Sequence, residues 1–175
     1  YTDLSKTVVA ADESILRVFL SGDETWRLSA RMEDVDPRYI EFLITYEDKR
    51  FWSHFGVDPL SIFRAIGQWV NTGRVVSGAS TLTMQVARLL EPRPRTLWSK
   101  AIEMIRAIQL ENRFTKQDIL SIYLTLAPFG GNIEGIKASS LAYYNKLPRQ
   151  LTTAEAALLV ALPQSPSIFR PDRNY

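Results

Sequence analysis

Residues 47–58 read EDKRFWSHFGVD, a Glu-Asp pair set directly ahead of two basic residues, then aromatics, a glycine and the only histidine in 175 residues. Acidic, basic, aromatic and turn residues crowded together suit a functional connection better than a helix face. The segments on either side read as helices. Asp36-Pro37 and Asp58-Pro59 each offer an N-cap followed by proline at the first helical position, where its missing N–H does no harm. The first helix carries Ile40, Leu43, Ile44 and, at its end, Glu47. The second carries Leu60, Phe63, Ile66, Trp69 and Val70, with Gly73 as its stop signal. Glu47 is thus either the acid of a site or a charge on a solvated turn.

Further out, the first thirty residues are β-like: TVVAA, ILRVFL and WRLS are short β-prone runs, with Ser21-Gly22-Asp23 as a turn before the third. Ser80 or Thr81 can cap a short helix with Leu82, Val86, Leu89 and Leu90 on one side, and EPRPR at 91–95 breaks it. From Thr96 to about Phe114 the chain is apolar nearly all round, the pattern of a buried central helix. Thr115 to Asp118 and Thr152 to Glu155 are capping-box patterns that open two more helices. APFGGN, 127–132, reads as a loop ahead of another helix. The expectation is one mainly α domain over 1–175, with a small β-rich opening segment at about 1–30 and a helical catalytic part from 31.

Composition narrows the chemistry. With 46% hydrophobic and 23% charged residues the chain is an ordered globular protein. No cysteine and one histidine exclude disulfides, a thiol nucleophile and a His/Cys zinc site, and leave carboxylate-bound Mg²⁺ as the metal option. A net charge of +2 is too small for a general polyanion binder, so no nucleic acid is expected. The charge is unevenly spread, however: seven Lys or Arg against three Glu lie between Arg88 and Lys116. Such a region invites an anionic ligand, phosphate above all. The longest apolar run, AALLVALP at 156–163, is far shorter than the roughly 20 residues of a membrane span. The chain opens on Tyr, which fits a processed or excised segment with an upstream anchor.

Within the basic region, Lys100, Glu103 and Arg106 are spaced by three and share a helix stripe, either as an ion-pair ladder or as the lining of a cleft. Glu47 and Glu103, on separate helices, are the pair of carboxylates that glycosyl chemistry sets about one anomeric carbon. His54, beside Phe55-Gly56, is read as architecture. GASTLTMQ, 78–85, is a helix cap or, with its free N–H groups and hydroxyls, a cradle for phosphate or sugar oxygens. The helix from Leu60 to Val70 packs in a core or, if it faces outward, lies on a membrane surface.

Taken in order, these pieces resemble the peptidoglycan glycosyltransferases of glycosyltransferase family 51, the lysozyme-like domain of class A penicillin-binding proteins. The family pattern E-D-x-x-F-x-x-H-x-G-x-D is met by Glu47, Asp48, Phe51, His54, Gly56 and Asp58. G-x-S-T-I/L-T-Q-Q is met by Gly78, Ser80, Thr81, Leu82, Thr83 and Gln85, with Met84 departing. R-K-x-x-E is met by Lys100 and Glu103, with Ser99 in place of Arg. Lys116, Ile119, Leu120, Tyr123 and Leu124 fit a fourth motif, from which Ser121 and Thr125 depart, and Gly131, Gly135, Ala138, Tyr143 and Lys146 fit a fifth. The WRL run, TMQ and APFGGN are most similar to the 1C class of that family.

The resemblance implies that Glu47 is the general base that takes the proton from the 4-hydroxyl of the GlcNAc of lipid II. The oxygen then attacks the MurNAc anomeric carbon of the growing strand and expels undecaprenyl diphosphate with inversion to a β-1,4 link. It implies that Glu103 assists the leaving diphosphate, directly or through Mg or Mn, with no organic cofactor. It further implies that Asp48, Arg50, Phe51, His54, Ser80, Thr81, Gln85, Arg88, Lys100 and Lys137 form the substrate-binding set, with Arg50, Arg88, Lys100 and Lys137 stabilising the diphosphate. Implied partners are lipid II, the growing glycan, the membrane surface near 60–76, a transpeptidase domain and other cell-wall synthesis proteins. The implied place is the outer face of the bacterial plasma membrane, held there by a transmembrane helix absent from this chain. A lysozyme-like glycan hydrolase or lytic transglycosylase, and a decayed binding or scaffold module, are the alternatives.

Overall fold

A computed structural model describes residues 3–11, 15–72 and 80–164. It is mainly helical, and its Cα packing resolves into two compact units, 1–43 with 121–175, and 44–120.

In the first unit, β1 (Thr7–Val9) and β2 (Ile15–Val18) form an antiparallel ribbon with an irregularity at Val8/Val9. The third β-prone run contributes β3 (Trp26–Arg27). It pairs in parallel with β5 (Ile133–Glu134), which in turn pairs antiparallel with β4 (Pro128–Gly130). APFGGN is therefore a hairpin rather than the expected loop. Gly130 and Gly131 make the tight reversal with φ of 105° and 61°, a region closed to most side chains, and Pro128–Gly130 then pairs with Ile133–Glu134, just past the motif. Gly135 (φ 80°) follows, and a Cβ there would lie 2.5 Å from the Thr125 carbonyl oxygen.

The sheet is fixed by Arg27. Its buried guanidinium donates to Glu134 at 2.6 Å, to Asp23 at 2.9 Å and to the Asp3 carbonyl at 2.6 Å, so the buried charge is fully partnered. α1 (Pro37–Glu47) starts where proline predicts, with the Asp36 carboxylate accepting from Arg38 N at 2.8 Å. Its Tyr39, Ile40 and Leu43 are buried. α5 (Lys116–Leu126), α6 (Ile136–Tyr144) and α7 (Thr153–Ala161) complete the helices, the last through a capping box in which Thr152 accepts from Glu155 N. Tyr123, Phe129, Ile136 and Leu159 are fully buried in this unit. At Thr125, a departure from the family pattern, the hydroxyl accepts from Ala30 N at 3.1 Å and donates to the Ser121 carbonyl at 2.8 Å.

The second unit contains the end of α1, then α2 (Pro59–Thr72), α3 (Leu82–Leu90), α4 (Leu97–Glu111) and the start of α5. Gly73 and Gly78 lie outside the described residues. Phe51, Leu82, Met84, Val86 and Ala107 are buried. α4 departs from the sequence reading: its buried positions are Ser99, Glu103 and Ala107. That is a single i, i+4, i+8 stripe. Leu97 is 91% exposed and Trp98 76%, and Ile105 and Ile108 are exposed as well. A helix apolar nearly all round was expected to be enclosed, yet here the buried stripe holds a serine and a glutamate, while Leu97, Trp98, Ile105 and Ile108 are exposed and Ile102, Met104 and Leu110 half-buried. The connection between α1 and α2 presses onto this helix at Gly56 (φ 74°), where a Cβ would stand 2.7 Å from the Ala107 backbone.

Candidate active site

The site is assembled around α3. Thr81 caps that helix: its hydroxyl oxygen accepts from Met84 N at 3.1 Å, and the same hydroxyl donates to the Gly56 carbonyl at 2.6 Å. The first N–H of α3, on Leu82, donates to the Asp48 carboxylate at 2.9 Å. A carboxylate at that end satisfies an orphan donor and sits favourably in the helix dipole. Asp48 is buried, and its other partner is His54 Nε2, also at 2.9 Å. Asp48 immediately follows Glu47, so the hydrogen bond to Leu82 ties the end of α1 to the start of α3.

One turn along α3, Gln85 Nε2 donates to Glu47 Oε2 at 2.8 Å. Glu47 is half-buried. A further turn on, Arg88 Nη1 stands 4.0 Å from Glu103 Oε1, and on α4 Lys100 Nζ stands 3.8 Å from Glu103 Oε2. The Lys100 ammonium also donates to Ser80 Oγ. Glu103 is buried to within 8% of its side-chain surface, and its Oε2 accepts no hydrogen bond among the described residues. Burial lowers the pKa of Lys100, with Glu103 opposing that shift and nearby Arg88 adding to it. Gln85 and Arg88, three residues apart, lie on one face of α3. That face holds Glu47 near one end and meets Glu103 near the other.

The structure therefore brings together Glu47, Gln85, Arg88, Lys100, Glu103 and Ser80. Asp48, His54, Thr81 and Phe51 have enclosed side chains beneath them: Asp48 bonds His54 Nε2 and Leu82 N, Thr81 bonds backbone, and His54 Nδ1 has no hydrogen-bond partner among the described residues. Phe51 is fully buried with the Lys116 ammonium 4.5 Å above its ring. Arg50 does not join the cluster, because its guanidinium is paired with Asp58 at 2.7 to 3.0 Å. Asp58 also caps α2 through Leu60 N and Ser61 N. Arg106 leaves the expected stripe for Glu91 at 3.3 Å and Gln109 at 2.8 Å. Lys137 is on α6, in the first unit.

Sequence reading missed a further carboxylate with an enclosed side chain, Glu111, which accepts from Thr83 Oγ1 at 2.6 Å and Lys116 Nζ at 2.7 Å. Its one sequence signal was Lys116 five residues on. Met84, where the family pattern has Gln, is buried and packs in the interior. Ser99, where the pattern has Arg, exchanges a hydroxyl contact of 2.9 Å with Thr96 at the start of α4. A divalent cation would find Glu103 flanked by two cations, and no group of three or more His, Asp or Glu among the described residues is placed to hold one. That donor set does not fit a protein-held metal.

On the other side of α4 an open apolar groove of about 750 Å³ runs beside the start of α2, walled by Phe55, Val57, Leu60, Met104, Ile105 and Ile108.

Residues 12–175 match the family model described as Transglycosylase. Penicillin-binding protein 1C of Escherichia coli (strain K12) is 52% identical over 169 residues, covering 97% of this chain and 22% of that protein. Penicillin-binding protein 1A of the same organism is 39% identical over 150 residues, covering 85% of this chain and 18% of that one. Penicillin-binding protein 1A of Aquifex aeolicus is 37% identical over 146 residues, covering 83% and 20%. The chain spans about a fifth of the length of these curated relatives.

Proposed function

This chain belongs to the transglycosylase family, and from that membership we propose that it is a peptidoglycan glycosyltransferase domain that polymerises lipid II. The observation that carries this reading is the face of α3. Gln85 orients one carboxylate, Glu47, and one turn away Arg88 joins Lys100 at the other, Glu103.

Glu47 is the general base. It takes the proton from the 4-hydroxyl of the incoming GlcNAc as that oxygen forms its bond to the MurNAc anomeric carbon of the growing strand. The bond from that carbon to the diphosphate oxygen breaks on the opposite face, which inverts the centre. The departing diphosphate takes up the electron pair, and Lys100 and Arg88 meet its charge in a partly buried setting where such contacts are strong. Glu103 assists by keeping the two cations aimed and, through its attraction, by opposing the loss of the Lys100 proton. No step is assigned to a metal. The exposed apolar side chains of α2 and α4 supply a surface for the lipid part of the substrate and for the membrane that carries it. No helix among the described residues is long and apolar enough to cross a membrane.

Incubation of the chain with lipid II is expected to yield glycan polymer and free undecaprenyl diphosphate. Glu47→Gln is expected to lower the rate by about 10²- to 10⁴-fold, the usual worth of a positioned base, with substrate binding retained. Equal rates for wild type and a folded variant would overturn the assignment. Cleavage of preformed glycan without polymer would favour the hydrolase.

A further inference from the structure

Glu111 is the last residue of α4 and Lys116 the first of α5, and their ion pair at 2.7 Å sits at the junction of the two helices, its side chains only 3% and 16% exposed. One oxygen, Oε1 of Glu111, accepts from both Lys116 Nζ and Thr83 Oγ1, the latter at 2.6 Å. Thr83 is fully buried on α3. It precedes Gln85 by two residues, about 200° round the helix axis, so it faces away from the site while Gln85 reaches Glu47. Lys116 also holds its ammonium 4.5 Å from the ring centre of the fully buried Phe51. Phe51 belongs to the turn that follows Glu47, where its N–H donates to the Asp48 carbonyl at 2.9 Å. A single carboxylate oxygen thus grips the back of α3 directly and, through Lys116, the turn behind Glu47. These are the two elements whose side chains meet in the Gln85–Glu47 hydrogen bond.

We infer that Glu111 is a positioning residue for glycosyl transfer, setting the rotation of α3 that keeps Gln85 on Glu47. The inference rests on the role given to Glu47 above. The start of α3 is already pinned by the Leu82 N–H on Asp48 and the Thr81 hydroxyl on Gly56. Rotation about the helix axis is what a bond on the opposite face adds. At about 5 Å from the axis a roll of about 10° carries a side chain about 1 Å, and a misplacement of that size can cost about 100-fold in rate. A buried ion pair adds little net stability over apolar packing, but its bonds are directional and hold one geometry.

The test uses Thr83, whose hydroxyl carries the link from Glu111 to α3. Thr83→Val nearly keeps the shape and leaves Glu111 paired with Lys116, so the chain is expected to fold; Thr83→Ala takes its place if it does not. On lipid II, Thr83→Val is expected to lower kcat about tenfold at unchanged KM, the mark of an interaction that matters in the transition state, and Thr83→Ser to restore it. In a Gln85→Ala background the same substitution is expected to do little further, because its effect passes through Gln85. Unchanged kcat in Thr83→Val, no rescue by serine, or a full drop in both backgrounds overturns the inference. A readout independent of turnover is the NMR signal of the Gln85 side-chain amide, identified by its loss in Gln85→Ala. It is expected to shift in Thr83→Val and to return in Thr83→Ser. Should wild type fail to polymerise lipid II, the glycosyltransferase reading fails, and the amide signal decides the positioning role alone. Displacement reversed by serine upholds it, and a signal that does not move overturns it.

Discussion

Burial and hydrogen bonding act in opposite directions on Asp58. Burial pushes its pKa up, but the Ser61 hydroxyl and the Arg50 guanidinium outweigh that and hold it down at about 2. A depressed carboxylate stabilises the fold fully above its ordinary value and loses that contribution as pH falls through the folded value. The window here is therefore about pH 4 down to about 2, and the stake is at most about 2 kcal/mol, less whatever solvent at half-exposed Arg50 screens. Urea unfolding of wild type and Asp58→Asn is expected to show a stability gap at pH 5 that closes towards pH 2; a gap independent of pH would refute the pairing. The same residue shows what sequence alone left open about Arg50, its pairing with Asp58. In sequence it is one more cation near Glu47, and only the fold reveals that Asp58, eight residues on, has claimed it.

At the scale of elements, the connection from α1 to α2 holds its shape by leaning on α4. Gly56 has a backbone conformation that side chains resist, and a methyl group there would collide with the Ala107 main chain. Gly56→Ala is therefore expected to cost about 2 kcal/mol or more, read as a lower urea midpoint. It is also expected to slow polymerisation, because the Gly56 carbonyl accepts from the Thr81 cap of α3. A midpoint within error of wild type would show that the loop and helix yield easily. α4 itself shows where sequence periodicity fails: apolar residues on most faces predict enclosure, but a helix can also present them to a lipid phase. Which solution applies depends on what packs against it.

For the whole molecule, the exposed apolar surface stands out against a modest net charge of +2. Phe63 on α2 is 71% exposed and Trp98 on α4 is more open still, and both helices contribute to the walls of one groove. Exposed aromatics of this kind mark an interaction surface. Replacing both Phe63 and Trp98 by Ser is expected to weaken sedimentation with phospholipid vesicles by tenfold or more, since each aromatic buried in lipid is worth about 1.5–3 kcal/mol. Thermal stability should be nearly unchanged, as neither side chain is enclosed. Undiminished vesicle binding would remove the case for a lipid-facing surface.

By itself the sequence determined the helical class, most helix starts and the acidic and basic residues from which the site is drawn. These are local properties: Asp-Pro and Thr-x-x-Glu caps act within one turn, and the spacing of motif residues along a helix fixes which of them share a face. Tertiary structure decided the pairings. It folded Asp48 under α3, set Gln85 on Glu47, gave Arg50 to Asp58, paired Ile133–Glu134, just past APFGGN, with Trp26–Arg27 and left much of the apolar surface of α4 open. Each of these depends on groups brought together from distant positions or from another element, where an ion pair or a packed face has several possible partners and only the three-dimensional path of the chain selects among them.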